Sequence, residues 1–276
     1  MRPVAGRFAH HNCSGADAGQ CSAARRLPWP GMADDIDLWE THSGWWQDGF
    51  TEGADPEYVE QILPLAADLL DGYDRVLDVG TGEGQVARLA VTRGSSLVVG
   101  IDPTANQVTE AAARNGGVRY ARSGADALPF SEESFDAVVA CLVFEHIEAV
   151  DDAIHEVARV LRAGGRFAFF LNHPLLQTPG SGWIDDQTLD PPEQYWRIGP
   201  YLVEDRSVEE VEKDVYIPFI HRPMSRYVNA MADAGLTLRR MLEPAPPSGF
   251  LARAAEYAEA ASIPRLLVLV AEREVT

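Results

Sequence analysis

The stretch VLDVGTGEGQVA, residues 76–87, decides the fold. A short apolar run leads into an acidic residue, three glycines follow at alternate positions, and a helical pattern begins after them. This order predicts a strand, a tight turn and the start of a helix. Gly80, Gly82 and Gly84 can adopt positive φ and let a ligand approach the backbone, where a Cβ would clash. The turn is therefore a predicted ligand site, although the same glycines also suit a turn that binds nothing.

The spacing of the glycines separates two kinds of ligand. A nicotinamide-binding fingerprint, GxGxxG, would place its third glycine at Gln85 and close its strand with an apolar residue. Here the third glycine is Gly84, and Asp78 closes the strand. A carboxylate beside the glycines repels a pyrophosphate and suits a ligand that carries a cationic amine. The pattern disfavours a nucleotide-binding oxidoreductase and resembles the first motif, V/I-L-D-x-G-x-G-x-G, of the class I S-adenosylmethionine (SAM) dependent methyltransferases.

Strands and helices alternate along the rest of the chain, which predicts an α/β fold with a parallel, doubly wound sheet. The predicted strands are 75–79, 97–101, 118–122, 135–140, 166–171, 236–242 and 266–271. The predicted helices begin near residue 34 and then cover 56–70, 85–93, 104–115, 151–161, 225–234 and 250–262. The resemblance implies a Rossmann-like sheet of seven strands, the last antiparallel, with an inserted cap.

The resemblance also implies SAM as the cofactor and S-adenosylhomocysteine as its product. Asp102 ends the second strand about 20 residues beyond the turn, where an acid accepts hydrogen bonds from ribose hydroxyls. Its simpler alternative is a cap for helix 104–115, and both roles are compatible. By resemblance, Asp126 contacts the adenine amino group, whereas Asp136 begins a strand and is structural. The cofactor-binding residues implied in this way are Asp78, Gly80, Thr81, Gly82, Gly84, Asp102, Pro103, Ala125, Asp126, Ala127 and Cys141.

Length and composition predict one domain with a cap, since the chain has 276 residues and 46% hydrophobic content. Residues 1–31 carry a single acid and no hydrophobic periodicity, and are predicted to be a disordered extension. A transit peptide, or a true start at Met32, are the alternatives. Residues 32–276 are predicted to form the methyltransferase domain, with 173–221 inserted as a substrate-binding cap because it is too long for an ordinary connection.

Charge and cysteine content limit the partners. Lys and Arg number 23 against 42 for Asp and Glu, and the net charge of −19 disfavours nucleic acid. Cys13, Cys21 and Cys141 lack metal-ligand spacing, so no metal site is indicated, and a reducing cytoplasm fits. No apolar run approaches the ~20 residues of a membrane span. The expected partner is a small-molecule acceptor, and the sequence leaves the oligomeric state and any metal requirement open.

Methyl transfer to a neutral alcohol requires a group that removes the hydroxyl proton, and histidine is best poised near neutral pH. His146 and His173 follow the fourth and fifth strands, whose ends should face the methyl donor. His221 is a third candidate from the side of the cap, and His42 is a weaker fourth. Glu145 is the expected structural partner of His146. Against a catalytic role, E-H-I/V sequences are frequent in the family whatever the substrate.

The acceptor is constrained less directly. ACLVFEHI occupies 140–147 in place of the N/D-P-P-Y/F motif of amino-methyltransferases, which counts against nucleobase or amide methylation. Aromatic residues at 39, 45 and 46 and through 173–221 suit either ligand stacking or packing. The Trp-rich N-terminal stretch and HRPMSRYVNAMADAGL, residues 221–236, resemble a sugar 1-O-methyltransferase branch that acts on methylated mannose oligosaccharides. The resulting hypothesis is O-methylation of a small polar metabolite, such as a saccharide. A C-methyltransferase on a quinone or polyketide and a non-catalytic SAM-binding protein are the alternatives.

Overall fold

The fold is built from eleven strands and eight α-helices in the computed structural model, which describes residues 35–257 and 259–275. The strands are β1 (Arg75–Val79), β2 (Leu97–Asp102), β3 (Arg119–Arg122), β4 (Phe135–Cys141), β5 (Leu161–Asn172), β6 (Gly182–Asp186), β7 (Glu193–Arg197), β8 (Asp205–Glu212), β9 (Val215–His221), β10 (Leu236–Leu242) and β11 (Leu266–Arg273). The helices are α1 (Asp35–Phe50), α2 (Leu63–Leu70), α3 (Gln85–Thr92), α4 (Ala105–Arg114), α5 (Val150–Val160), α6 (Pro174–Gln177), α7 (Met224–Asp233) and α8 (Ser248–Arg253).

Seven strands form one sheet in the order β10-β11-β5-β4-β1-β2-β3. Strand β1 pairs in parallel with β2 on one side and β4 on the other, so the strand order reverses at β1. Strand β11 runs antiparallel to both β5 and β10. The predicted doubly wound sheet with an antiparallel last strand is therefore confirmed. Ligands bind such sheets in the crevice at the carboxyl ends of the strands, where the order reverses.

The sheet is buried on both faces because its central strands are nearly continuous apolar runs. Side chains alternate along β5: Phe167 and Phe169 point to the layer with α5 and α7, and Phe170 points to the layer with α2 and α3. All three phenylalanine side chains are fully buried. Each such burial contributes about 1.5–3 kcal/mol, so the crevice at the strand ends rests on a rigid base.

The predicted helix 250–262 is wrong in its extent. Helix α8 ends at Arg253, and a short 3₁₀ turn, Ala260–Ser262, follows separately. Between them, the ring of Tyr257 stacks on Trp183 with centroids 4.8 Å apart. Packing against a distant hairpin therefore overrides the local helical preference. The helix predicted over 56–70 is present, with a π turn at Tyr58–Ile62 before α2.

The segment 173–221 forms helix α6 and two antiparallel hairpins outside the main sheet. The first hairpin, β6–β7, joins the satellite cluster in which Trp183 contacts Trp196 and Tyr257. The second hairpin, β8–β9, buries Ile217 and Phe219 against α1. The two tryptophans of the first hairpin therefore pack on one another. A substrate-binding role for the segment stays a prediction.

The remaining predictions concern the N-terminal extension, metal sites and membrane spans. The extension 1–31, with Cys13 and Cys21, lies outside the described residues. Across 35–257 and 259–275, no three His, Cys, Asp or Glu side chains are grouped so as to hold a metal ion. Within the same ranges, none of the helices combines the length and the apolar character that crossing a membrane requires.

Candidate functional site

Two of the three glycines in the turn after β1 present their backbone to a cavity. Gly80 and Gly82 have φ of 68° and 54°, and both line a cavity at the carboxyl ends of the strands. A Cβ on Gly80 would overlap the side chain of Val143, and one on Gly82 would lie 3.5 Å from Nε1 of Trp46. Gly84 differs, because it faces the ring of Tyr120 and does not line the cavity. The absence of a Cβ at Gly84 leaves room for Tyr120 at the start of α3, and a ligand contact at this position stays a prediction.

Two buried carboxylates lie at the turn, one from each of the central parallel strands. Asp78 on β1 is 2% exposed, and its Oδ2 accepts a hydrogen bond of 2.7 Å from the hydroxyl of Thr81. Burial raises the pKa of Asp78 to about 7. Since β1 and β2 lie side by side at the point where the strand order reverses, Asp78 and Asp102 face the same cavity.

Asp102 ties the end of β2 to the glycine turn. Its Oδ2 accepts from the backbone N–H of Gly82 at 3.0 Å, and its Oδ1 accepts from the N–H and hydroxyl of Thr104 at 2.9 and 2.6 Å. Burial raises the pKa of Asp102 above its ordinary value. Asp102 does not cap α4 directly, because Glu40 of α1 accepts from Ala105 N–H at 2.6 Å and Asn106 N–H at 3.1 Å.

The cavity has a volume of about 370 Å³ and lies between the strand ends and helix α1. This volume is within the usual range for small-molecule sites. The predicted cofactor residues in its wall are Asp78, Gly80, Thr81, Gly82, Asp102, Pro103, Ala125, Asp126 and Cys141. Ala127 does not line it: its side chain is exposed, and its carbonyl accepts from Ser123 Oγ at 3.3 Å. Most of the predicted cofactor-binding residues therefore line the same cavity, and Gly84 and Ala127 do not.

Helix α1 and the π turn supply lining residues that sequence reasoning did not assign. Trp39, Trp46 and Tyr58 are the aromatic members. Trp46 stacks on Phe50 at 4.5 Å, and the hydroxyl of Tyr58 lies 3.7 Å from Sγ of Cys141. A Trp-rich helix was visible in the sequence, but packing and ligand contact give the same pattern there. The π turn that carries Tyr58 has no signature in the sequence, although such turns are frequent at functional sites.

His146 lines the cavity just after β4. Its Nδ1 lies 2.6 Å from the carbonyl oxygen of Pro218, which can only accept, so Nδ1 carries the proton and Nε2 keeps a lone pair. Its ring contacts Trp39 and Phe219, each with centroids 4.8 Å apart. Burial lowers the pKa of His146 to about 4, so the imidazole is neutral at physiological pH.

Glu145 lies beside His146 in the chain but does not line the cavity. Its side chain is 3% exposed, and Oε1 accepts from the backbone and side-chain N–H groups of Asn172 at 3.3 and 2.8 Å. In the part of the chain that the structure describes, Oε2 has no hydrogen-bond partner. Burial raises the pKa of Glu145 to about 7. Its contacts join β5 to the loop after β4 and are structural.

The other candidate histidines are held away from the cavity. His173 donates from Nε2 to Glu243 at 2.8 Å and accepts at Nδ1 from Leu175 N–H, so both nitrogens are engaged. His221 is 2% exposed and donates from Nε2 to the carbonyl of Tyr201 at 2.8 Å. His42 contacts the ring of Tyr216. Among these candidate histidines, His146 is the one that lines the cavity, and the catalytic roles of all of them stay predictions.

The wall fits a ligand with a cationic amine and several hydroxyl groups. Bare backbone at Gly80 and Gly82 leaves room beside the turn. Asp78 has a buried carboxyl, and burial raises its pKa because the charged form is desolvated. Asp102 and Asp126 add carboxylate acceptors along the same wall. Such a ligand matches S-adenosylmethionine, which carries an α-amino group, a ribose and an adenine.

Comparison with known proteins defines the class. Residues 77–169 match the sequence family described as "Methyltransferase domain". A solved S-adenosylmethionine dependent methyltransferase from Mesorhizobium loti superposes with a TM-score of 0.66 at 27% identity, over 79% of this chain and 97% of that one. Residues 77–169 thus match a methyltransferase domain, and the sheet is the Rossmann-like fold of S-adenosylmethionine dependent methyltransferases, which makes S-adenosylmethionine the cofactor.

Two curated relatives match over shorter stretches. "Uncharacterized methyltransferase YcgJ" from Bacillus subtilis is 39% identical over 98 residues, covering 34% of this chain and 38% of the relative. "27-O-demethylrifamycin SV methyltransferase" from Amycolatopsis mediterranei is 34% identical over 151 residues, covering 50% of this chain and 54% of the relative. The match therefore spans about half or less of each relative's length.

Proposed function

We propose that this chain transfers a methyl group from SAM to a hydroxyl oxygen of a small acceptor, with His146 accepting the hydroxyl proton. One observation carries the proposal. The imidazole lies in the cavity wall at the end of β4, and Pro218 fixes the tautomer that leaves Nε2 free to accept. A histidine with a fixed tautomer and an open nitrogen is the usual arrangement of a general base.

The cofactor is held by the three acids that follow successive parallel strands. Asp78 pairs with the α-amino group, which restores the ionised form that burial disfavours. Asp102 accepts from the ribose hydroxyls at Oδ2, which takes one hydrogen bond, from the Gly82 N–H, and has a second lone pair. Asp126 is exposed at the rim and accepts from the adenine amino group. These roles extend the sequence resemblance to positions that now share one cavity.

When bound, SAM supplies a methyl carbon on a positively charged sulfur; the acceptor oxygen forms the new bond to that carbon, and the electron pair of the broken C–S bond stays on sulfur in S-adenosylhomocysteine. The chain's own part is to align the two groups and manage the proton. His146 takes the hydroxyl proton at Nε2 while Nδ1–H stays bonded to Pro218. Trp39 and Phe219 hold the imidazole between them and keep water from its faces.

Oxygen is the favoured target on two grounds. His146 offers a proton acceptor where a hydroxyl would lie, and the rifamycin relative is named for a 27-O-demethylated acceptor. Transfer to a carbon of a quinone or polyketide would depend less on a base. The saccharide acceptor suggested by residues 221–236 gains no support from the relatives named above.

The test is a screen of hydroxylated acceptors with methyl-labelled SAM, together with a matched pair of variants. We expect His146→Asn to lower kcat/KM about 10²–10³-fold while the Kd for SAM stays within about twofold. His155→Asn is the control, because this exposed histidine on α5 bonds only to the carbonyl of Asp151 among the groups described. Full activity of His146→Asn would point to carbon transfer or another base. SAM binding by calorimetry without S-adenosylhomocysteine formation would indicate a non-catalytic protein.

A further inference from the structure

The charged side chains that line the cavity are all acidic. They are Asp78, Glu83, Asp102, Asp126 and Glu148. Across residues 35–257 and 259–275, neither a lysine nor an arginine lines this space. Two of these acids pair with arginines: Glu83 with Arg88 at 2.6 Å and Arg114 at 3.0 Å, and Glu148 with Arg206 at 3.1 Å. An acceptor with a carboxylate or phosphate would therefore enter without a cation to replace its lost hydration.

Two further arginines beside the wall donate to backbone carbonyls. Arg122 donates to the carbonyl of Pro103 at 2.7 Å. Arg222 is 4% exposed and donates to the carbonyls of Phe144, Ile147 and Glu148 at 3.1, 2.7 and 3.0 Å. Its guanidinium therefore donates its hydrogen bonds to the loop that carries His146. Neither arginine is arranged to hold an anion in the cavity.

The part of the wall around His146 is aromatic and apolar. Ile36, Trp39, Val143 and Ile147 line it, and the ring of Trp39 meets the imidazole edge-on at 4.8 Å. Planar rings bind against such surfaces through offset or edge contacts. The polar side chains at this end are His146 and Glu148, so an acceptor with many hydroxyls would bury several of them unpaired. The surface suits a flat ring with one or two hydroxyls.

The state of His146 agrees with an acidic hydroxyl. Burial lowers its pKa to about 4, which makes it a weak proton acceptor. An alkyl alcohol is about as weak an acid as water, whereas a phenol is a much stronger acid with a pKa near about 10, as in tyrosine. A phenolic proton therefore makes a much smaller demand on this imidazole.

We infer that the acceptor is an uncharged aromatic compound whose phenolic hydroxyl is methylated, with its ring against Trp39. This inference rests on the proposed function and narrows its acceptor. Carboxylated and phosphorylated analogues of the same ring are disfavoured, because none of the described lysines and arginines lines the cavity to pair with their charge. The inference also disfavours a saccharide acceptor.

The test compares acceptors that differ in one property. The methyl ester of 3,4-dihydroxybenzoic acid and the free acid share the ring and hydroxyls but differ in charge. We expect kcat/KM for the ester to exceed that for the acid at least about tenfold, since like charges brought together in a site are costly. Methyl α-mannoside should yield no product. Equal or better use of the acid, or transfer to the mannoside, would overturn the inference while leaving the proposed function in place.

A binding measurement tests the inference without turnover. Calorimetry with the S-adenosylhomocysteine complex should show the ester binding at least about tenfold more tightly than the acid. Trp39→Leu should weaken ester binding about tenfold. Trp183→Leu is the control, because Trp183 stacks on Tyr257 in the satellite cluster and should leave ester binding unchanged. Glu148→Gln should narrow the ester-to-acid ratio.

Different results would contradict the proposed function and the inference about the acceptor. If SAM binds but none of the phenols, saccharides or acids in the panel yields S-adenosylhomocysteine, the proposed function fails and the inference fails with it. If product forms but the acid matches the ester, or Trp39→Leu and Trp183→Leu behave alike, the inference alone fails.

Discussion

Burial prepares the Asp78 carboxyl for a cation. Its pKa is raised to about 7, although the hydrogen bond from Thr81 acts in the opposite direction. Below about pH 7 the ligand-free carboxyl is therefore mostly protonated, and pairing with an ammonium group expels that proton. We expect the Kd of SAM to rise by up to about tenfold for each pH unit below 7. Calorimetry between about pH 5 and about pH 8, in buffers of different ionisation enthalpy, measures both the affinity and the proton release.

The matched variant is Asp78→Asn, which keeps the side-chain shape and its acceptor toward Thr81. Without a titrating carboxyl, the variant should bind SAM about tenfold more weakly than the native protein at neutral pH, and its Kd should not change with pH. The two Kd values should therefore converge near about pH 6. If the variant keeps the slope of the native protein, another group is responsible for the pH dependence.

Glu145 should make the protein less stable as the pH rises through neutrality. Its folded-state pKa is raised to about 7, so between its unfolded pKa and about pH 7 the folded state binds more protons than the unfolded state. Its contribution is thus most favourable at acid pH and is lost as the pH rises toward about 7 and above. Asp78 acts in the same direction. Urea unfolding should show a free energy of unfolding that falls from about pH 5 to about pH 8.

Glu145→Gln should reduce that fall by at most about 3 kcal/mol. The new amide group takes the place of Oε2, which has no partner among the described residues. Any cost of burying this amide is the same at about pH 5 and about pH 8, so it does not affect the difference between the two free energies of unfolding. Glu156→Gln is the control. Arg159 lowers the pKa of Glu156, so this carboxyl stays ionised across the range and should leave the fall unchanged. Equal slopes in Glu145→Gln and the native protein would contradict the assignment.

At the scale of the elements, Glu40 joins helix α1 to the start of α4. Its carboxylate accepts from the N–H groups of Ala105 and Asn106, and its carbonyl accepts from the Asn106 side chain at 3.1 Å. Thr104, which precedes α4, makes no capping bond with its own side chain. A carboxylate at a helix N-terminus contributes about 1 kcal/mol. Because α1 carries Trp39 and Trp46, this contact also holds one wall of the cavity in place.

Glu40→Ala should therefore weaken SAM binding about fivefold and speed amide exchange in α1. Asp37→Ala removes the same charge from the same helix at an exposed position and serves as the control. Calorimetry and hydrogen exchange measure the two effects. Unchanged affinity together with faster exchange would mean that α1 covers the cavity without contributing to cofactor binding.

The elements show which parts of the structure local pattern can predict. Buried parallel strands are apolar runs, so β1, β2 and β4 follow from the sequence, and acids just beyond them mark the cofactor side. Long-range packing leaves no such trace. Tyr257 breaks the predicted helix by stacking on Trp183. The sequence also does not show that His173 is engaged by Glu243, because this partner lies 70 residues further along the chain.

At the scale of the molecule, the cavity is assembled from three separate stretches. The strand ends between 75 and 149 supply the cofactor carboxylates, and helix α1 supplies the aromatic wall. Hairpin β8–β9 supports that wall, because Ile217 and Phe219 pack on α1 and Pro218 holds His146. The family match, 77–169, covers only the first stretch. The sequence motifs lie in the first stretch, so they could predict which residues at the strand ends line the cavity. They could not predict the residues that α1 and β8–β9 add to it or hold in place.

The same division predicts how the molecule responds to its ligand. A ligand bound between the strand ends and α1 should stabilise all three stretches, because opening any one of them exposes the cavity. We expect saturating S-adenosylhomocysteine to slow amide exchange in α1, in the turn after β1 and in hairpin β8–β9. Hairpin β6–β7 packs in a separate cluster and should exchange at an unchanged rate. The measurement is hydrogen exchange read by mass spectrometry, with NAD as a control ligand.

Each pattern of protection has a distinct structural meaning. Protection confined to the turn after β1 would show that α1 and β8–β9 do not close on the cofactor, and the acceptor wall would then be formed by other residues. Protection spreading to β6–β7 would show that both hairpins move as one unit, against their separate packing here. Equal protection by NAD would contradict the cofactor preference argued from Asp78 and the glycine spacing. The expected pattern, in contrast, requires that α1 and β8–β9 respond together, as their shared contacts through Trp39 and Phe219 imply.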